Sequence, residues 1–204
     1  TLCRSSAASD VYKRQIEIPL IGFHNISNAA ATFALTSHIG ISTSLIKKSL
    51  KDFQGVERRF NKVFDFNGVT FFDDYAHHPT EIKEVLNGVK KSFLNKKVIS
   101  IFQPHRISRL NDLSNDFSKS FKNSDQVLLC PVYKAGEKIK LKFKYEKFAR
   151  DISKNSKALV IMVNQKQDLV NFFKNNLKGN EIVIGMGAGS ISGWLKELKN
   201  FLKQ

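Results

Sequence analysis

Two short polar segments of the chain carry the residue types that proton transfer and anion binding require. Residues 73–81, DDYAHHPTE, begin with two aspartates followed by a tyrosine and two histidines after an apolar run, and residues 102–109, FQPHRISR, place Arg106 and Arg109 three positions apart. Histidine exchanges a proton near neutral pH, and guanidinium groups bind carboxylates or phosphates through paired hydrogen bonds. Together the segments predict a polar site for an anionic substrate, such as an amino-acid carboxylate or a nucleotide.

A structural interpretation competes with this one at each segment. Asp74 or Thr80 could simply cap the helix that follows, with the histidines in solvent, and the spacing alone does not decide between the two. Arginines at the start of a helix could also be plain surface charge. That second alternative is disfavoured because positive charge at a helix N-terminus opposes the helix dipole.

Two further segments offer weaker signals of nucleotide binding. Residues 22–28, GFHNISN, put His24, Asn25 and Asn28 at the start of an Ala-rich run. The amide side chains of Asn25 and Asn28 can form hydrogen bonds to the edge of a nucleobase, although Asn25 could equally be an N-cap. Residues 55–60, GVERRF, form a basic turn. Paired arginines there are usually surface charge, unless a phosphate held by a neighbouring domain reaches them.

Residues 185–190, GMGAGS, resemble a dinucleotide-binding glycine loop only superficially. They follow an apolar run and precede a helical pattern. The fingerprint also needs a complete βαβ unit and an acidic residue about twenty positions later, which the chain does not supply. The prediction is therefore a close strand-to-helix turn, and a nicotinamide oxidoreductase is disfavoured.

The elements that must position these segments alternate in type after Gly55. Apolar runs predict strands at Val63–Phe66, Val69–Asp73, Val98–Phe102, Gln126–Leu129, Ala158–Val163 and Glu181–Ile184. Apolar spacings of three and four predict helices at Thr80–Phe93, Leu110–Phe121, Lys144–Ser153, Lys166–Leu177 and Ser190–Leu202. The alternation predicts an α/β fold, a Rossmann-like and mostly parallel sheet flanked by helices, with Asn67-Gly68 turning one antiparallel hairpin. Ligands of such sheets bind at the carboxyl ends of the strands, where both polar segments lie.

The chain divides into three parts that differ in composition and in the spacing of their apolar residues. Residues 1–15, TLCRSSAASDVYKRQ, have no apolar period and no secretory h-region, and are interpreted as a translated cloning or adapter sequence. Residues 16–55 contain two helical patterns, at Asn25–His38 and at Ile41–Phe53, the second opened by Ser42 or Thr43 as a cap. Residues 56–204 carry the α/β pattern.

Composition narrows the class of protein. The formal net charge of +15 could indicate nucleic-acid binding, but the lysines are spread along the chain and no recognisable nucleic-acid motif accompanies them. A basic nucleic-acid-binding domain is kept as a less favoured alternative. Cys3 and Cys130 lie far apart without a CxxC pattern, which fits a reducing cytoplasm, and Cys130 ends an apolar run as a buried small residue would. No apolar run approaches the roughly 18 residues of a membrane helix.

Five motifs in order resemble those of the Mur ligase family: GFHNISNA, GVERRF, DDYAHHPTEI, FQPHRISR and VYKAGE. The resemblance runs from about Ile16 to the carboxyl terminus, where GMGAGSIS is similar to the family's terminal turn. Within the family the motifs are most similar to those of the alanine-adding members. The murein tripeptide-recycling ligase typically has DFAHHPT and EPRSNTM where this chain has Asp74-Tyr75 and Gln103-Pro104-His105-Arg106, and it remains the alternative.

The resemblance implies a three-domain ligase of which this chain holds the end. No GxxxxGK[ST] sequence occurs in the chain, so residues 16–55 are expected to be the last helices of the central ATPase domain and residues 56–204 the carboxy-terminal domain. The implied full-length activity is ATP- and Mg²⁺-dependent addition of L-alanine to UDP-N-acetylmuramate through an acyl phosphate, in cytoplasmic peptidoglycan synthesis. The implied partners of the chain are the missing amino-terminal and central domains, without which it is expected to be inactive.

The family's site residues carry over to matching positions in three groups. Those implied to contact ATP are His24, Asn25 and Asn28 near adenine, Arg59 near the phosphates and Asp74 as an orienting group. Those implied to line the alanine and muramate side are Tyr75, His105, Arg106 and Arg109. His77 is the implied base that deprotonates the incoming ammonium. No metal ligand is expected in this part of the protein.

Overall fold

The computed structural model describes residues 15–20, 23–137 and 143–202, and of residues 23 and 24 it describes the backbone alone. The predictions for residues 1–14, including Cys3, lie outside the described residues. The chain separates into two compact units, one ending at Gly55 and the other starting at Val56.

The described residues of the first unit contain a pair of helices. Helix α1 spans Phe23–His38 and helix α2 spans Thr43–Asp52, with Ser42 in extended conformation as the N-cap of α2. Ile46 is buried between them, but several large apolar side chains stay exposed, among them Leu35 and Ile39 at 65% each. The unit therefore presents more apolar surface than a helix pair of this size normally leaves in water.

The second unit is built on one six-stranded sheet. Its strands are β1 (Asn61–Phe66), β2 (Val69–Asp74), β3 (Lys97–Phe102), β4 (Gln126–Leu129), β5 (Leu159–Met162) and β6 (Glu181–Met186). They are ordered β1-β2-β6-β3-β4-β5. Only β1 and β2 pair antiparallel, through the predicted turn at Asn67 and Gly68, both of which have positive φ. The remaining neighbours pair parallel, which confirms the predicted fold class.

Within the part of this unit that the structure describes there are six helices: α3 (Pro79–Ser92), α4 (Ile107–Asp112), α5 (Ser114–Ser118), α6 (Tyr145–Ser156), α7 (Lys166–Asn176) and α8 (Ile191–Leu202). One apolar cluster joins one face of the sheet to α3, α4, α5 and α6, and a second joins the other face to α7 and α8. Successive residues of a strand contribute to clusters on opposite faces of the sheet, so Phe72 belongs to the first cluster and Phe71 to the second. The result is a sheet covered on both faces, which explains why β3 and β6 are apolar almost throughout.

The predicted helix Leu110–Phe121 is wrong. The structure has two short helices instead, and Leu113 between them adopts φ −113° and ψ 16°, outside the helical region. The residues that follow, Ser114, Asn115 and Asp116, hydrogen-bond readily to nearby backbone and so weaken a continuous helix. Farther along the chain, the hydroxyls of Ser118 and Ser120 donate to the carbonyls of Asn115 and Asp116, respectively.

Phe71 is one of the largest fully buried side chains of the second apolar cluster. It is fully buried, stacks on Phe64 at 4.2 Å between ring centroids and meets Phe173 edge-on at 5.1 Å. We expect Phe71→Ala to lower the free energy of unfolding by about 3–5 kcal/mol, since it removes a buried ring and leaves a cavity. Urea unfolding of the chain measures this. A loss below about 1 kcal/mol would contradict the assigned packing, and the exposed Phe201 supplies the control Phe201→Ala.

Candidate functional site

Four loops of the second unit meet at one edge of the sheet. In the parallel register Asp74 pairs with Met186, Met186 with Phe102 and Phe102 with Leu129. These are the last residues of β2, β6, β3 and β4, so the strands end in one row. The two polar segments therefore leave the sheet side by side, as expected for a ligand site at carboxyl ends.

The loop after β2 caps helix α3 with residues that the sequence did not single out. His78 is the N-cap: its Nδ1 accepts from the Thr80 N–H at 3.3 Å, and the Glu81 carboxylate accepts from the backbone N–H of His78 at 3.1 Å. This is a reciprocal capping box. The alternative interpretation, in which Asp74 or Thr80 caps the helix, is therefore wrong.

His77 lies half-buried in the same loop with a defined tautomer. Its Nδ1 is 3.0 Å from the carbonyl oxygen of Tyr75 and 3.5 Å from the Glu81 carboxylate. A carbonyl oxygen can only accept, so Nδ1 must carry the hydrogen. In the neutral ring Nε2 is then the unprotonated nitrogen, which is the state a general base needs.

The loop after β3 brings the second polar segment to the first. The rings of His77 and His105 are 5.6 Å apart between centroids, in an edge-to-face arrangement. Arg106 is exposed and Arg109 is partly buried. Nδ1 of His105 and one terminal nitrogen of Arg109 are buried without a hydrogen-bond partner. Since buried polar groups are nearly always paired, two such atoms, one in the loop and one in the helix that follows it, indicate a place for a ligand's polar groups.

Burial lowers the pKa of His105, and the nearby positive groups His77, Arg109 and Arg106 lower it further. The folded state therefore binds this proton more weakly than the unfolded chain does. Its cost to stability is absent above the unfolded pKa near 6.5 and grows as the pH falls through the lower folded value. His105 is thus uncharged at neutral pH, beside arginines that remain charged.

We expect His105 in the isolated chain to titrate below 6.5 in a histidine NMR titration. Replacing Arg109 by Gln should move its pKa back upward, because one of the charges that oppose protonation is removed. The exposed His38, on the first unit, serves as the internal reference in the same spectra. A His105 pKa at or above 6.5, unchanged by the substitution, would contradict this description.

The side chain of Asp74 binds backbone groups of the protein itself. Its side chain is 4% exposed, and its two carboxylate oxygens accept from the backbone N–H of Phe60 at 2.9 Å and of Ala76 at 2.7 Å. Burial raises its pKa, while those hydrogen bonds oppose the rise. Asp74 thus ties the 55–60 turn to the end of β2, and any effect on a nucleotide would pass through the residues that it holds.

The arginine pair of that turn divides into an inward and an outward residue. Arg58 donates to the carbonyl of Gly187, lies 3.6 Å from the Asp73 carboxylate and sits 4.8 Å over the ring of Tyr75. Arg59 is exposed, 6.0 Å from the same ring, which leaves its charge available to an anion. Arg58 and Asp73 were not singled out from the sequence, because two adjacent arginines give no sign of which one turns inward.

Tyr133, in the loop after β4, is a further site residue that the sequence did not single out. Its ring stacks on His105 at 5.7 Å between centroids, and its main chain exchanges hydrogen bonds with Pro104 and Arg106. The only available signal was its membership of the VYKAGE motif. The aromatic row of Tyr75, His77, His105 and Tyr133 therefore spans the loops after three strands.

The glycine segment after β6 is the close turn that was predicted. A Cβ at Gly187 would lie 2.7 Å from the carbonyl oxygen of Gln103, and one at Gly189 would lie 2.5 Å from the ring of Tyr133. The buried Gln103 side chain accepts from the N–H of Ile191 at the start of α8. The glycines therefore let the β6 turn approach the β3 and β4 loops.

The remaining predicted positions belong to the first unit. Asn25 and Asn28 lie on α1 of the first unit, Asn25 partly buried and Asn28 exposed, while the side chain of His24 is outside the described residues. Among the described residues no group of three or more His, Cys, Asp or Glu side chains could hold a metal ion. The helices described are all too short or too polar to cross a membrane. Cys130 is fully buried, and burial raises the pKa of its thiol, so it lacks the character of a nucleophile.

The chain is similar to several known proteins in sequence and in structure. The UDP-N-acetylmuramate–L-alanine ligase of Pelagibacter ubique is 57% identical over 189 residues, which are 93% of this chain and 41% of that protein. The crystal structure of the UDP-N-acetylmuramate–alanine ligase of Thermotoga maritima aligns with a TM-score of 0.75 at 27% identity, over 92% of this chain and 40% of that one. A murein peptide ligase of Psychrobacter arcticus shares the fold at 23% identity, with a TM-score of 0.68 over 92% of this chain and 38% of that one.

The chain thus spans about 41% of the length of the Pelagibacter relative. The sequence model of one family, described as Mur ligase, glutamate ligase domain, matches residues 58–189. That match covers more than half of the chain and includes all six strands and the loop cluster at their carboxyl ends. The chain belongs to the Mur ligase family.

Proposed function

We propose that this chain is the carboxy-terminal part of an ATP-dependent ligase that joins L-alanine to the lactyl carboxylate of UDP-N-acetylmuramate, a cytoplasmic step of peptidoglycan synthesis. The observation that carries the proposal is the convergence of His77, His105 and Arg109 at one sheet edge, with buried polar atoms that lack partners. The 57% identity to an alanine ligase across nearly the whole chain supports the choice of acceptor.

The proposed chemistry needs a cation for a carboxylate and a base for an ammonium. Arg109 and Arg106 suit the carboxylate of alanine, since guanidinium binds it through two parallel hydrogen bonds. His105 lies next to them and is uncharged, so it adds an aromatic ring to the site but no further positive charge. The partly buried Arg109 would gain a partner for its unpaired nitrogen when the substrate arrives.

His77 is proposed to take the proton from the alanine ammonium at Nε2. The freed amine attacks the acyl carbon of an acyl phosphate, the new C–N bond forms, and the C–O bond to phosphate breaks with release of phosphate. The hydrogen bond from Nδ1 to the Tyr75 carbonyl, with Glu81 nearby, stabilises the imidazolium that results.

The nucleotide side of the proposal rests on the 55–60 turn. Arg59 is exposed and is proposed to approach the ATP phosphates, while Asp74 holds the backbone of Phe60 and so fixes the direction of the turn. Phe60 and Arg58 both have positive φ, a strained state for such residues that persists only where the surroundings enforce it. ATP would supply the phosphoryl group that activates the muramate carboxylate.

The roles proposed for His24, Asn25 and Asn28 near adenine are carried by the family resemblance alone. Magnesium has no fitting set of ligands among the described residues. Its ligands would lie in the part of the enzyme that this chain does not contain, and the roles proposed for the present residues do not depend on them.

The first unit is proposed to be the end of the central ATPase domain. An apolar cleft of about 360 Å³ runs between its helices, lined by Ile41, Leu45, Ile46 and Phe53 among others. Together with the exposed Leu35 and Ile39, this surface suits packing against the rest of such a domain. The missing amino-terminal and central domains are therefore the proposed partners of the chain.

A chimera tests the proposal. Residues 16–204 replace the matching part of the Pelagibacter relative, and phosphate release is followed with ATP, Mg²⁺, UDP-N-acetylmuramate and candidate acceptors. We expect release that depends on L-alanine. Release that depends on the murein tripeptide, with the muramyl nucleotide replaced accordingly, would move the assignment to the recycling ligase, and a folded chimera that is silent with both would contradict the proposed function.

A further inference from the structure

Helix α4, which carries Arg109, begins without a cap of its own. Arg106 stands at the N-cap position with φ 68° and ψ 133°, and its side chain makes no capping hydrogen bond. A positive φ is costly for a residue with a long side chain, and the first N–H groups of a helix need partners from elsewhere. Something outside the helix must therefore fix the point at which it starts.

That partner comes from the loop after β4. The carboxylate of Glu137 accepts from the N–H of Ile107 at 2.7 Å and of Ser108 at 3.4 Å, and from the hydroxyl of Ser108. These hydrogen bonds join residues about thirty positions apart. Glu137 thus does what a local Ser or Asp N-cap does in an ordinary helix.

The loop itself is shaped to deliver this carboxylate. The N–H of Glu137 donates to the carbonyl of Lys134, which closes a turn whose two central residues, Ala135 and Gly136, both have positive φ. One step earlier, Tyr133 is bonded through its main chain to Pro104 and Arg106. The loops after β3 and β4 are therefore locked together on both sides of His105.

The carboxylate of Glu137 interacts mainly with the helix start, and the charge of Arg106 lowers its pKa less than those hydrogen bonds do. The Ser108 hydroxyl and then the backbone N–H groups hold the pKa of Glu137 below its usual range. Within the described residues, neither Arg106 nor Arg109 forms an ion pair with it. Both guanidinium groups consequently keep their charge for a substrate, although a carboxylate lies close by.

We propose that Glu137 is the positioning residue of the substrate-carboxylate site: by capping α4 from the β4 loop, it sets the direction in which Arg106 and Arg109 meet the acceptor. This inference rests on the proposed function for its substrate. The contact on which it depends can be tested without any activity.

The first test uses the chain itself. Hydrogen exchange of the Ile107 N–H is compared in the parent, in Glu137→Ala and in Glu146→Ala, which alters an exposed glutamate in the first turn of α6. We expect exchange at least about tenfold faster in Glu137→Ala only, since the cap is the sole restraint lost. Equal rates in the two variants would overturn the proposal, whatever the chimera does.

The second test uses the chimera and separates positioning from general stability. Glu137→Ala should raise KM for L-alanine about tenfold while kcat falls less than about threefold, and Glu137→Gln, whose amide oxygen can still accept, should recover most of the loss. Ser108→Ala removes one of the three donors and should raise KM about two- to threefold. An unchanged KM in Glu137→Ala, or equal defects in the Ala and Gln variants, would overturn the positioning role, whereas an inactive parent chimera would count against the proposed function.

Discussion

Replacing Arg109 by alanine in the chimera is expected to raise KM for L-alanine about 100-fold. Truncating one partner of a buried, hydrogen-bonded charge pair typically costs about 2–5 kcal/mol, and 100-fold corresponds to about 2.7 kcal/mol. Arg109 is the candidate because it is partly buried and one of its terminal nitrogens has no partner in the protein. The measurement is alanine saturation of phosphate release.

The controls follow from the structure. Arg150→Ala removes an exposed arginine from α6, away from the site, and should leave KM for alanine within about twofold. Arg109→Lys keeps the charge but loses the paired geometry and should fall between the two. Alanine saturation that is unchanged in Arg109→Ala would remove Arg109 from the acceptor site.

Replacing His77 by Gln is expected to lower kcat about 100- to 10,000-fold at saturating alanine, with a much smaller change in KM for alanine. The range is the usual contribution of a positioned general base. His77 qualifies through its tautomer, since the hydrogen bond from Nδ1 to the Tyr75 carbonyl leaves Nε2 free to take a proton.

The neighbouring histidine is the matched control for this change. His78 is exposed and serves as the N-cap of α3, so His78→Gln should cost some stability and change kcat less than about threefold. Equal losses of kcat in the two variants, or a full kcat in His77→Gln, would show that His77 is not the base.

The sheet could be predicted from the sequence because its signals are local and repeated. Apolar runs such as Val98–Phe102 and the Asn67-Gly68 turn fix a strand and a hairpin within a few residues of the observed limits. The parallel pairing follows from the same alternation, since parallel neighbours require helical crossovers. The strand order does not, because β2 pairs with β6, the last strand of the sheet in sequence. The break at Leu113 was missed because helix periodicity alone does not weigh competing side-chain hydrogen bonds.

The candidate site was only partly predictable. Its two main segments were found because titratable and guanidinium residues follow strands directly, as at His77 and Arg109. Contacts between distant segments left no local signal: the Tyr133 ring on His105 and the Glu137 cap on α4 depend on how two loops meet. Arg58 turns inward and Arg59 outward, and this difference likewise depends on the fold, since both residues are arginines.

The measurement that tests the central claim most directly is the mass of the nucleotide product. The chimera is incubated with UDP-N-acetylmuramate, ATP, Mg²⁺ and isotopically labelled L-alanine, and the product is analysed by mass spectrometry. We expect a new nucleotide heavier than the muramate substrate by one labelled alanyl residue, formed about 100-fold more slowly when Arg109→Ala is assayed at low alanine. Phosphate release from a folded chimera without any alanyl nucleotide would contradict it.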